Sequence, residues 1–134
     1  MARKNIVLDS WAMMAFFENE SAAEQVEKII IEAHQNDVPL SMSVVNVGEL
    51  WYNTVRGHSQ ADAERVVQEL DNLGIEVAEA NWEITKQAAI FKTKGNLAYA
   101  DCFAAALAKL SKAEIVTGDP EFKQIEGQVK ILWV

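Results

Sequence analysis

What is scarce in these 134 residues narrows the possibilities first. There is a single cysteine, Cys102, so no intrachain disulfide can form, the fold rests on packing, and a reducing compartment is the natural home. The two histidines, His34 and His58, stand far apart from each other and from Cys102, without the ligand spacing of a zinc site. No apolar run approaches the length of a membrane span, and Arg3 and Lys4 precede only Ile6, Val7 and Leu8 before Asp9, too little for a signal-peptide core. A cytoplasmic protein with no membrane association is expected. Cations are outnumbered, 12 Lys and Arg against 20 Asp and Glu, and the formal charge of -8 excludes a protein that coats duplex nucleic acid by neutralising phosphates. Local contact with nucleic acid stays open if a divalent metal offsets clustered acids while Arg56, Lys86, Lys92, Lys94, Lys109 and Lys112 line a groove.

What is present reads as one domain, residues 1–134, whose 50% hydrophobic and 24% charged residues suit a globular core. There are no repeats, low-complexity segments or evident linkers. Asn5-Ile6-Val7-Leu8 is a continuous apolar run, the pattern of a strand buried on both faces at the centre of a parallel sheet. After it come a helix over 11–17 that Ser10 could cap, a helix over 22–34, a short strand over 38–43 and a helix over 44–56 capped by Ser43. Then follow a helix over 60–73 opened by a capping-box-like Ser59 and Asp62, a strand over 75–77, and a helix from Asn81 to Lys94. A helix over 99–111, a strand over 114–117, a turn at Gly118-Asp119-Pro120 and a last strand over 129–133 complete the chain. Strands alternating with helices predict an α/β sandwich of three layers, with a central, mostly parallel twisted sheet of four to five strands.

Four acids bear on chemistry. Asp9 ends the first strand and Asp119 follows the strand Ile115-Val116-Thr117, both at carboxyl ends, where open α/β sheets bind ligands. Asp101 lies in an Ala-rich helix that is apolar nearly all round, and an unpaired charge buried there costs several kcal/mol. Glu49 is mid-helix on the same face as Asn46, Asn53 and Arg56, beside Gly48, whose cost of roughly 1 kcal/mol in helix propensity suggests a close backbone approach. Each also has a plainer reading: a helix cap for Asp9, a dipole-favoured first-turn acid for Asp101, an ion pair with Arg56 for Glu49, and ordinary turn chemistry for Asp119. Brought into one cleft, four carboxylates would repel by roughly 3 to 4 kcal/mol per close pair at an effective dielectric near 20, and would stay ionised only with cations between them. Oxygen-only ligation favours magnesium or manganese, and such a site suits phosphoryl chemistry.

The strings Leu8-Asp9-Ser10, Gly48-Glu49-Leu50, Tyr99-Ala100-Asp101 with Ala104-Ala105-Ala106-Leu107-Ala108, and Thr117-Gly118-Asp119-Pro120-Glu121-Phe122 resemble the successive acid motifs of PIN-domain ribonucleases, specifically VapC-type toxins of toxin–antitoxin pairs. The resemblance runs from Ile6 to Leu132-Trp133. It implies that Asp9, Glu49, Asp101 and Asp119 hold one or two Mg2+ (or Mn2+), with Asp9 and Asp101 as direct ligands and Ser10 and Thr117 orienting the quartet. It further implies a homodimer, an antitoxin whose tail enters the acidic groove, and cleavage of single-stranded or loop RNA by metal-activated water, leaving a 5′-phosphate and a 3′-hydroxyl. Trp11 departs from the small or hydroxyl residue frequent there, which bears on the shape of the groove beside Asp9.

His34 and His58 read as solvated, and Cys102 as a buried, inert thiol. An aspartyl-phosphate mechanism at Asp9 would want another acid where Trp11 stands. The alternative to an enzyme is a catalytically weak PIN-fold module that acts by binding an antitoxin-like partner. It draws on Trp11, Met13, Met14, Phe16, Phe17, Trp51 and Tyr52 as partner-facing apolar residues.

Overall fold

The computed structural model describes residues 4–134, and Arg3 lies outside them. Five strands, β1 Ile6–Leu8, β2 Leu40–Ser43, β3 Ile75–Ala78, β4 Glu114–Thr117 and β5 Ile131–Trp133, form one sheet in the order β3-β2-β1-β4-β5. Every pairing among them is parallel. The connections are helical: α1 Ser10–Phe17 and α2 Ala23–Gln35, then α3 Val44–Gly57 and α4 Gln60–Asn72, then α5 Trp82–Lys94 and α6 Tyr99–Ser111.

The apolar run of β1 explains its central place. Val7 packs into a core built with α5 and α6 on one face of the sheet, and Leu8 into a core built with α1, α2 and α3 on the other. Neighbouring β4 alternates in step, Ile115 joining the first core and Val116 the second, which is the period-two signature of a strand covered on both sides. In α6, Ala104, Ala105, Ala106 and Ala108 are all fully buried, and small side chains let this helix lie close to the sheet and to α3 and α5. Val26, Ile30 and Ala33 of α2 and Ala63 and Leu70 of α4 are buried on the faces their spacing predicts.

Several local expectations are corrected. Asp9, not Ser10, is the N-cap of α1; its side chain accepts from Ala12 N, and Ser10 is already helical. The segment after Asp119 is a 3₁₀ helix, Pro120–Ile125, capped by the Asp119 side chain and pinned by buried Phe122 and Ile125 at its three-residue period. A Cβ at Gly48 would meet nothing within 4 Å, so no described neighbour requires glycine there. His34 is exposed, yet its Nε2 donates to the Leu73 carbonyl (2.7 Å) and its ring lies against Gly74, which turns with φ 72°. Of the seven apolar residues considered partner-facing, only Trp11 and Tyr52 are exposed.

Candidate metal centre

The sheet order places a topological switch between β1 and β4: the chain leaves β1 toward β2 on one side and returns to β4 on the other. Loops at the carboxyl ends of these two strands diverge there and leave a crevice. Register pairs Leu8 with Val116, so the next residues, Asp9 and Thr117, sit side by side at the crevice floor. Thr117 Oγ1 donates to Asp9 Oδ2 (2.5 Å) and accepts from the Asp119 backbone N–H (3.1 Å). One hydroxyl therefore ties the acid of the first strand to the loop carrying the last.

Asp101 enters from the first turn of α6, whose N-cap Ala98 offers no side-chain cap, so the helix dipole favours a carboxylate there. Glu49 enters from α3. Its Oε1 accepts from Ser10 Oγ (2.8 Å) and from Asn46 Nδ2 (3.0 Å), while Arg56, its supposed ion-pair partner, instead lies over the Tyr52 ring. Asp119 caps the 3₁₀ helix, accepting from Glu121 N at 3.0 Å, and this turn swings the Glu121 carboxylate back toward the crevice. Asp101, Asp119 and Glu121 each place a carboxylate oxygen within 4.8 Å of the other two. Glu49, Asp101 and Asp119 line one pocket of about 410 Å³ together with Ser10, Trp11 and Glu121. Asp9 belongs to the floor beneath it, 1% exposed, and feels the charges of Asp101 and Asp119.

The electrostatics show the strain of this gathering. Burial pushes Asp9 up to about 7, reinforced by Asp101 and Asp119 and opposed by the hydrogen bonds from Thr117 and Ala12. Burial likewise pushes Asp101 up to about 7, with Asp119, Glu49 and Glu121 adding to it. None of the residues lining the pocket is a cation. None of the cations considered for a basic groove lines this pocket: Lys109 and Lys112 line a separate one, Lys92 Nζ donates to the Leu97 carbonyl, and Lys109 Nζ donates to Gln128 Oε1 and sits over Phe91. The donor set is thus all oxygen, negatively charged and, among the described residues, without protein counter-ions, which fits a hard divalent cation. Cys102 is fully buried, and burial raises its thiol further.

Two residues of the site escape a reading of the acids alone. Glu121 joins Asp119 only because Pro120 starts a 3₁₀ turn, and the Asp-Pro-Glu string is the signal for it. Asn46 is fully buried, and its Nδ2 bridges Glu49 Oε1 and the Ala100 carbonyl (3.1 Å), joining α3 to the start of α6 next to Asp101. Its Oδ1 is buried with no partner among the described residues. Its position three residues before Glu49 on one helical face is the clue in the sequence.

A family model for the PIN domain matches residues 6–128. Among solved structures, the chain is similar to VapBC2 from Rickettsia felis bound to a DNA fragment from their promoter, at 14% identity and TM-score 0.78, over 95% of this chain and 96% of that one. It is similar to a toxin–antitoxin complex from Klebsiella pneumoniae at 15% identity and TM-score 0.68, over 96% of each chain. It is similar also to VapC20 of Mycobacterium tuberculosis, a sarcin–ricin loop cleaving toxin, at 13% identity and TM-score 0.72, over 90% of this chain and 94% of that one. No curated protein sequence matches. Among the described residues no helix is long and apolar enough to cross a membrane.

Proposed function

The chain belongs to the PIN-domain family, and on that premise we propose that it is a metal-dependent endoribonuclease of the cytoplasm, the toxin of a VapBC-type pair, acting on single-stranded or loop RNA. The observation that carries the reading is the convergence of Asp9, Glu49, Asp101, Asp119 and Glu121 from four separate stretches of chain on one crevice without a compensating cation among the described residues. A divalent cation, when bound, supplies Lewis acidity toward a phosphate oxygen and toward water. Asp101, Asp119 and Glu121 are the residues to hold Mg2+ or Mn2+, and Asp9 keeps a lone pair on each oxygen beyond the bonds from Ala12 and Thr117 with which to join them.

Glu49 has a separate task. Ser10 and Asn46 fix its Oε1, which leaves Oε2 outside these two bonds, and from the pocket lining Glu49 would accept the proton of an attacking water. Thr117 and Ser10 act as positioning residues, holding Asp9 and Glu49 in their rotamers. The similarity to VapC20 and to VapBC complexes supports an RNA substrate and a cognate antitoxin partner. A homodimer belongs to the same reading, and light scattering at high concentration should show twice the mass of one chain.

Cleavage of RNA by purified protein tests the reading. Activity should appear with Mg2+ or Mn2+, vanish with EDTA, and fall by about 100-fold or more in Asp101→Asn. Equal activity in the chelator, or undiminished activity in the variant, would remove it.

A further inference from the structure

We propose that the exposed indole of Trp11 is a stacking platform for one unpaired nucleobase of the RNA, next to the phosphate at the acid cluster. This rests on the nuclease reading above and adds a subsite to it. Trp11 stands in the first turn of α1, two residues after Asp9, and lines the same pocket as Glu49, Asp101 and Asp119 while 38% exposed. Its ring is seated: a Cβ on Gly118 would overlap the six-membered ring, so the indole lies directly on the backbone between Thr117 and Asp119. A glycine at this point of the loop permits the close approach and fixes where the aromatic face is held. Met14, one helical turn on, continues the apolar wall.

The rest of the pocket explains why such a platform is needed. Its charged lining is Glu20, Glu49, Asp101, Asp119 and Glu121, so the described residues lining it offer the RNA backbone no ion pair and repel it. Affinity at the cut site has to come from uncharged contact in addition to any bound cation. Trp11 is the one aromatic residue in that lining, and its Nε1 has no hydrogen-bond partner among the described residues. Stacking on an indole serves any base, since every base has a π-face, and requires it to be out of a duplex.

The test compares the parent, Trp11→Phe and Trp11→Leu, each in an Asp101→Asn background that prevents turnover, by fluorescence anisotropy in Mg2+. The probes are a labelled single-stranded oligoribonucleotide and a base-free oligomer of the same length. Trp11→Leu should weaken RNA binding by about 10-fold or more while Trp11→Phe stays within about 3-fold of the parent, and all three should bind the base-free oligomer equally weakly. Circular dichroism melts establish that each variant is folded, and leucine keeps the helix propensity of the position. Parental RNA affinity in Trp11→Leu would overturn the platform while leaving intact a nuclease whose parent form cuts RNA in Mg2+. If Trp11→Leu weakens only self-association or a protein complex, the indole belongs to a protein interface and the proposal is wrong. A parent that neither cuts nor binds RNA would remove the nuclease reading and the platform with it.

Discussion

Asp101 and Asp9 hold their charge at the expense of the fold. Both ionise near pH 7 in the native protein against 3.8 for the free side chain, so between about pH 4 and 7 the unfolded chain has given up protons that the folded one retains. For a raised carboxylate the consequence is a stability that falls as pH climbs through that window, is fully reduced above it, and is untouched below it, where both states are protonated. Asp101→Asn should therefore raise stability in EDTA at pH 8 by about 1 to 3 kcal/mol and leave it nearly unchanged at pH 4, as read from urea melts. An equal effect at both pH values would mean that Asp101 is not charged against its surroundings. Thr117 makes a sharper structural demand, since its hydroxyl both donates to Asp9 and accepts from Asp119 N in a fully buried spot. Thr117→Val should lose about 1 to 3 kcal/mol by leaving these groups unpaired, and Thr117→Ser should recover most of it in the same melts.

At the scale of elements, the pattern of β1 and of α6 was legible because each has one strong signal. Three apolar residues ending in an acid specify a central strand and its carboxyl end, and an alanine-rich helix specifies burial on nearly every side. The acids were visible for a related reason, as charged residues placed where burial makes charge expensive. What stayed hidden was contact made by geometry across elements. Nothing local in Asn46 says that its amide spans α3 and α6, and the 3₁₀ turn that recruits Glu121 depends on burying Phe122 and Ile125 against α6 and the sheet. Serine so often caps a helix that the sequence points to Ser10, whereas Asp9 outcompetes it and frees the hydroxyl for Glu49. A glycine in the interior of α3 suggests a close contact, but no described neighbour comes within 4 Å of a Cβ at Gly48. Gly48→Ala should then stabilise the isolated chain by about 0.5 to 1 kcal/mol in thermal or urea melts, and a loss of stability would show that a neighbour does press on this position.

The molecule as a whole is a device for concentrating negative charge. One crossover, from β3 past β2 and β1 to β4, brings residues more than a hundred positions apart into hydrogen-bond contact at the crevice floor, and two helices deliver their acids above it. The net charge of -8 then falls partly on a site that lacks cations among the described residues and is closed underneath by packed core. A shared divalent ion is the claim on which the nuclease reading stands. Diffraction from crystals soaked in Mn2+, collected for anomalous signal, tests it directly. A peak ligated by oxygens of Asp101, Asp119 and Glu121 at about 2.1 Å is the result expected, and saturating Mn2+ that leaves the crevice without a peak, or binds elsewhere on the surface, would contradict it.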